Sequence, residues 1–346
     1  MKSNKPLFSV CIPAYNRARH LRPLLDSILK QNFDSFEILV CEDVSRERKE
    51  ISGIIQEYQN LYPNKIRYHE NPTNLGYDAN IRNLVALANG RYCFFMGNDD
   101  IMCQGSLSHV SELIDRHPKI GMVLKSYAWF DETPEKINQE VRYFSEEKFM
   151  AAGAEAISIC FRRAGVISGY IIDRDLANSA ATNEFDGTLY YQMHLTGSVL
   201  AEANAVATPK VLVLCRNSEP PEFGNSGSEK GKYTPVAYTP QARLNMIGGA
   251  LSIARSITEK KHIDITKVII DDYANYFYPY IKDQLNLPIK KYLDLYCKFG
   301  KMGFKSRPMF HLYMIFCYIT GEKNFDLLTK KIRGLLGRSP QFGLRK

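Results

Sequence analysis

The chain has 346 residues, of which 45% are apolar and 24% charged, and a net charge of +8. That length fits one large α/β domain with a smaller appendage and excludes a single small module, while the apolar share excludes a disordered chain. Eight scattered cysteines with no Cys-x-x-Cys pair exclude a zinc ribbon or a disulfide scaffold and read as reduced, mostly buried thiols.

In chain order, Met1 to Pro6 leads straight into an apolar run without the cleavage signature of a signal peptide, so the chain is expected to stay in the cytoplasm. Leu7 to Ile12 predicts the first strand, and Pro13-Ala14-Tyr15-Asn16 the turn that leaves it. Leu21, Leu24, Leu25, Ile28 and Leu29 fall at helical spacing. Phe36 to Cys41 predicts a second strand, Ile51 to Tyr58 a helix, Ile66 to His69 a third strand, and Ile81 to Ala88 a further helix. Tyr92 to Met96 then runs directly into Gly97-Asn98-Asp99-Asp100. This alternation is the pattern of βαβ units, a mostly parallel sheet flanked by helices.

Beyond a helix at Ser106 to Arg116 and a strand at Gly121 to Ser126 the rhythm loosens. Gly169 to Ile172 predicts a strand, Thr188 to Leu200 a helix and Val211 to Cys215 a final strand. The stretch from Arg216 to Pro240, rich in Gly, Pro, Ser and Glu, reads as a mobile lid, because long loops in compact domains are usually functional. Helical spacing resumes at Gln241. The predicted division is therefore 1–215, an α/β domain; 216–240, a lid; and 241–346, a helical C-terminal region. The longest apolar tract, Met309 to Thr320, is too short to span a bilayer.

Two carboxylates, Asp99 and Asp100, leave a buried strand at its carboxyl end, the edge at which open α/β sheets bind ligands. Read with Pro13-Ala14-Tyr15-Asn16, Glu42-Asp43 and Asn74-Leu75-Gly76-Tyr77-Asp78-Ala79-Asn80-Ile81-Arg82-Asn83, the order and spacing resemble glycosyltransferase family 2 over roughly the first 125 residues. The resemblance implies a GT-A, Rossmann-like fold and an inverting, metal-dependent transfer of one sugar from a nucleotide-diphosphate sugar. It implies Mn²⁺ or Mg²⁺ on Asp100, since hard oxygens suit those ions and the leaving diphosphate needs a cation. It gives Asp99 the donor ribose, Tyr15 and Asp43 the base, and Pro13 and Asn16 the turn that shapes this pocket. Arg82 reads either as a phosphate neutraliser or as a solvated helix arginine, and Asp78 as a donor contact or an N-cap.

An acceptor hydroxyl must lose its proton, and the resemblance points to Asp186 as the base. Asp186 reads equally as the N-cap of the helix behind it, with Glu184 and Asp173 in reserve. His194 reads as a buried histidine or a further metal ligand. Arg216, Glu219, Glu222 and Phe223 read as lid residues that exclude water. Glu42 and Asn98 stand where many members carry Asp, and the Gln-x-x-Arg-Trp motif of processive synthases is absent.

Gly97 to Asp100 and the segment Pro220 to Asn225 are similar to bacterial O-antigen and other surface-polysaccharide transferases, which implies a glycan acceptor on a polyprenyl diphosphate. The basic C-terminal excess (Lys298, Lys301, Lys305, Arg307, Lys330, Lys331, Arg333, Arg338, Arg345, Lys346) and its aromatic residues read either as a peripheral contact with the inner face of the cell membrane or as a helical core with a homodimer surface. No nucleic-acid module is present, so nucleic acid is not expected as a partner. The alternative class is a nonenzymatic protein of this fold that binds nucleotide sugar without transfer.

Overall fold

A computed structural model describes residues 5–335. Of the basic residues counted above, Arg338, Arg345 and Lys346 lie outside that range, as does the Met1 to Asn4 part of the N-terminal segment. The first half follows the predicted rhythm: β1 (Phe8–Ala14), α1 (Ala18–Leu29), β2 (Phe36–Glu42), α2 (Arg48–Leu61), β3 (Ile66–Glu70), α3 (Tyr77–Leu87), β4 (Tyr92–Phe95), β5 (Ile101–Met102), α4 (Ser106–Arg116) and β6 (Ile120–Phe130). The second half continues with β7 (Ile137–Val141), β8 (Lys148–Met150), α5 (Ala154–Cys160), β9 (Tyr170–Asp173), α6 (Arg174–Ser179), α7 (Tyr191–Leu200) and β10 (Asn204–Arg216). The helices α8 (Pro240–Lys261), α9 (Thr266–Ala274), α10 (Ile289–Phe299) and α11 (Pro308–Leu335) complete it.

The strands form one mixed sheet in the order β3-β2-β1-β4-β9-β6-β10-β5, with β7 on β6 and β8 on β10. β1, β2, β3 and β4 are parallel, whereas β9 inserts antiparallel between β4 and β6. This insertion is why regular βαβ spacing fades after residue 126, and β7, β8, α5 and α6 were not foreseen. Pro13 and Ala14 belong to β1, not to a turn, and Pro13 pairs with Cys41. The missing N–H of Pro13 is tolerated beyond Cys11, the last β1 residue that β4 pairs with.

One face of the sheet packs against the apolar stripes of α1, α2 and α4. The other packs against α3, α5 and α7, with the C-terminal helices layered outside. Every residue of α7 is buried, as expected for a helix enclosed between a sheet and a second helical layer. Its Gly197 lies so close to α8 that a Cβ there would meet Ile257 Cδ1 at 2.0 Å. Thr239 caps α8, its Oγ1 accepting from the Ala242 N–H at 3.1 Å, with Pro240 in the first turn.

The predicted start of α7 at Thr188 is corrected to Tyr191, because Leu189 takes a left-handed φ of 63° that interrupts helical geometry. The segment 187–191 is instead held by Asp78, in the first turn of α3. Its two oxygens accept from the N–H groups of Gly187 (2.8 Å), Leu189 (2.9 Å) and Tyr191 (2.9 Å). Asp78 is therefore not the N-cap of its own helix, a place that Gly76 takes; it ties down a segment more than a hundred residues away.

Asp78→Ala leaves three buried N–H donors unmatched, and a loss of about 3 kcal/mol or more is expected in urea denaturation. Burial pushes the Asp78 pKa from 3.8 to about 7 against the opposing N–H bonds. The folded chain therefore holds this proton where the unfolded chain has released it. Its contribution to stability falls as pH rises from about 4 to about 7, then levels off. Asp78→Asn is expected to remove that slope from the pH dependence of unfolding.

Candidate active site

The carboxyl ends of β1, β2 and β4 open into a cavity of about 430 Å³, covered by the loop of residues 217–239 and closed at its far end by α8. Pro13, Tyr15, Asp43, Asp99 and Asp100 all line it. Asn16 borders it by bonding to the lining residue Glu222. Six of the eight predicted site residues thus come together; Arg82 and Asp186 do not.

At the centre stand Asp99 and Asp100, each 7% exposed. Burial raises the pKa of both, and for Asp100 the adjacent Asp99 charge adds to burial and pushes the value up to about 7. Each is answered by specific donors. Arg17 Nη1 donates to Asp99 Oδ2 at 2.9 Å. The Arg216 N–H donates to Asp100 Oδ1 at 2.7 Å. The Ser168 hydroxyl donates to Asp100 Oδ2 while accepting the Gly97 N–H at 2.7 Å. Gly97 has no room for a side chain, since a Cβ would lie 2.8 Å from Asp100 Oδ2.

The departures now acquire tasks. Asn98 donates through Nδ2 to the carbonyl of Asn16 at 2.8 Å, joining the turn after β4 to the turn after β1. An aspartate there could not donate and would add a third negative charge. Glu42 is fully buried and accepts from Val44 N (3.0 Å), Ser45 N (2.7 Å) and the Arg48 guanidinium. Glu42, and not Asp43, thus caps the turn at Val44 and Ser45. Asp43 accepts from Asn71 Nδ2 and the N–H groups of Leu75 and Gly76, each at 2.8 Å. Burial raises its pKa against those bonds.

Asp186 and Arg82 are found on each other. Arg82 Nη1 and Nη2 meet Asp186 Oδ1 and Oδ2 at 2.5 and 2.9 Å, outside the cavity wall, and the Arg82 guanidinium lies over the Tyr191 ring. The expected base is therefore occupied in a two-pronged ion pair. It is not an N-cap either, because α7 begins five residues later, at Tyr191. The reserves are occupied as well: Asp173 caps α6 by accepting from Leu176 N, and Glu184 pairs with Lys260. His194 Nε2 bonds to the Ala180 carbonyl at 2.8 Å and its ring packs on Phe185, so it is a buried core histidine.

Four functional side chains escaped sequence reading. Arg17 follows Asn16, and both take left-handed φ angles of 61° and 54° that swing the guanidinium toward Asp99. It also donates to the Pro220 carbonyl, so it touches the covering loop. Glu229 is buried and fastens that loop, accepting from Tyr77 N at 2.9 Å and Gly224 N at 2.8 Å. Arg243, on α8, lines the far wall over the Tyr238 ring, and its Nε meets Asp283. Ser168 is the fourth. A cation directly after the first strand was a usable signal for Arg17; the other three carried none.

The fastened loop runs over residues 217–239, since Arg216 is the last residue of β10 and Pro240 the first of α8. Glu219 is held by Arg19 and His20, Glu222 by Asn16, and Phe223 is buried between Tyr233 and Tyr238. Glu222 Oε2 is engaged by no partner among the described residues.

The donor set suits a hard divalent cation. Two buried carboxylates lie side by side, with the Arg17 guanidinium between Asp99 and the loop, and burial raises both pKa values, the Asp99 charge adding to the rise at Asp100. Among the described residues no group of three or more His, Cys, Asp or Glu side chains could hold a metal. A cation here would take only part of its coordination from the protein.

The profile of glycosyl transferase family 2 matches residues 9–170. An abequosyltransferase of Salmonella typhimurium is 36% identical over 114 residues, covering 33% of this chain and 34% of that protein's own length. Among solved structures, residues 1–349 of Staphylococcus aureus TarS in complex with UDP-GlcNAc superpose with a TM-score of 0.63 at 17% identity, covering 92% of this chain and 91% of that one. A mannosyltransferase of Pyrobaculum calidifontis in complex with GDP-Man and Mn²⁺ gives 0.52 at 13% identity, covering 97% and 88%. These two likenesses show the fold, a GT-A sheet flanked by helices with a helical C-terminal region.

Ser168→Ala removes one donor to Asp100 and leaves the Gly97 N–H unmatched. A loss of about 1–3 kcal/mol is expected from the melting midpoint. A change within a few tenths would remove Ser168 from the support of the carboxylate pair.

Proposed function

We propose, from the match of residues 9–170 to the profile of glycosyl transferase family 2, that the chain is an inverting glycosyltransferase moving one sugar from a nucleotide-diphosphate sugar to a hydroxyl of a lipid-linked glycan in bacterial surface-polysaccharide synthesis. The observation that carries this reading is the buried Asp99–Asp100 pair opening into a cavity walled by Tyr15 and Asp43. The name of the Salmonella relative, an abequosyltransferase, supports sugar transfer as the reaction class.

In this reading Tyr15 stacks on the base and Asp43, fixed by three donors, presents its remaining lone pairs to the ring edge. Asp99 accepts from the ribose. Asp100 would hold Mn²⁺ or Mg²⁺, which when bound neutralises charge on the departing diphosphate. Arg243 adds a fixed positive charge from the opposite wall. The loop over the cavity keeps water from the anomeric carbon. For the acceptor proton, we assign Glu222 in place of Asp186, because it lines the cavity with one oxygen unengaged. The ion pair on Asp186 favours one second reading, a protein that binds donor and transfers nothing.

Thermal shift against UDP-, dTDP-, GDP- and CDP-sugars with Mn²⁺ or Mg²⁺ tests the donor site. One nucleotide class is expected to raise stability by about 2.7 kcal/mol at a hundredfold excess over its Kd, and Asp100→Ala is expected to abolish the cation-dependent part of that stabilisation and metal-dependent transfer, with an unchanged circular dichroism spectrum. No stabilisation by any donor would sink the reading. Glu222→Gln is expected to lower kcat about a hundredfold or more with donor affinity little altered. Donor binding without transfer to any acceptor would leave the second reading standing.

A further inference from the structure

The C-terminal helices expose an apolar surface that the donor cavity does not use. Tyr292 stacks on Tyr318, with ring centroids 4.2 Å apart, and donates to the Met314 carbonyl at 2.8 Å. Tyr296 meets Phe310 and His311. Advancing along α10 thus means retreating along α11, so the two helices are antiparallel. In a right-handed helix each next residue turns by about 100°. For an antiparallel pair, the residues that follow the contact positions point to the same side.

Those residues are Leu293 and Cys297 on α10 and Leu312, Ile315 and Ile319 on α11. Their exposure is unusual: Ile319 is 76% exposed, Leu312 55%, Ile315 52% and Leu293 47%. Between Pro308 and Gly321 there is no charged residue at all. Gly321 then breaks helical geometry with a φ of 72° and ends the uncharged stretch. No helix of the described residues is long and apolar enough to cross a membrane, so this face is not one side of a spanning segment.

The surroundings are basic. Residues 289–323 carry seven lysines and arginines against two acidic residues. Lys290, Lys291, Lys301 and Lys305 are exposed and make no ion pair among the described residues. An apolar helix face bordered by lysines is the chemistry that seats helices at the headgroup boundary of anionic lipid.

We propose that the side of the α10–α11 pair carrying Leu293, Leu312, Ile315 and Ile319 docks on an anionic lipid surface. The inference stands on surface chemistry alone, so it succeeds or fails independently of the donor-site reading. The test is sedimentation of the full chain with vesicles of phosphatidylcholine, with and without phosphatidylglycerol. Binding is expected to rise at least about tenfold with the anionic lipid and to weaken in high salt.

The combined variant Leu312→Ser, Ile315→Ser and Ile319→Ser, all at exposed positions, is expected to lose vesicle binding while keeping its melting midpoint. Lys290→Gln, one turn before Leu293 on α10, is expected to weaken it severalfold. Equal binding to both vesicle types, or none, would overturn the proposal. So would a wild-type dimer in analytical ultracentrifugation that the serine variant splits without any loss of vesicle binding.

Discussion

Removing two adjacent carboxylates from water is the constraint around which the sheet edge is arranged. Each ion taken into a low-dielectric interior costs several kcal/mol unless donors meet it, and here the two also repel each other. Three separate returns of the chain supply the donors. The turn after β1 brings Arg17, the loop leading into β9 brings the Ser168 hydroxyl, and the end of β10 brings the Arg216 N–H. The antiparallel entry of β9 between β4 and β6 gains a reason from this. It starts beside Asp100, where a parallel strand in that place would end there.

A second set of buried acids does different work. Glu42, Asp78 and Glu229 each accept mainly from backbone N–H groups of turns and loops. They hold irregular backbone where no strand ladder or helix can satisfy it. Asp43 belongs partly to both sets, since three donors fix it and it still faces the cavity. The chain's acidic residues are thus sorted by partner. Those bonded to turns position the wall, and the adjacent pair Asp99 and Asp100 lines the cavity itself.

Sequence reading recovered what depends on short range. The 3.6-residue and two-residue periods of the first 126 residues gave β1 to β4 and their helices, and strand ends placed Tyr15, Asp43, Asp99 and Asp100 at one edge. What it missed depends on encounters between distant segments. Arg82 and Asp186 were weighed separately because nothing within either neighbourhood reveals a partner 104 residues away. Ser168 sits in a loop with no motif. Arg243 lies on a helix assigned to a separate appendage, although α8 forms part of the cavity wall.

The Arg17 guanidinium is divided between Asp99 on one side and the Pro220 carbonyl of the covering loop on the other. Whatever alters the charge at Asp99 therefore alters how firmly that side chain is drawn away from the loop. Were a cation bound at the carboxylates, the two events would be linked equilibria: occupancy would shift the loop's hold, and by thermodynamic reciprocity loop position would shift affinity by the same factor. A single turn of backbone, strained into left-handed angles at Asn16 and Arg17, is where that coupling would be set.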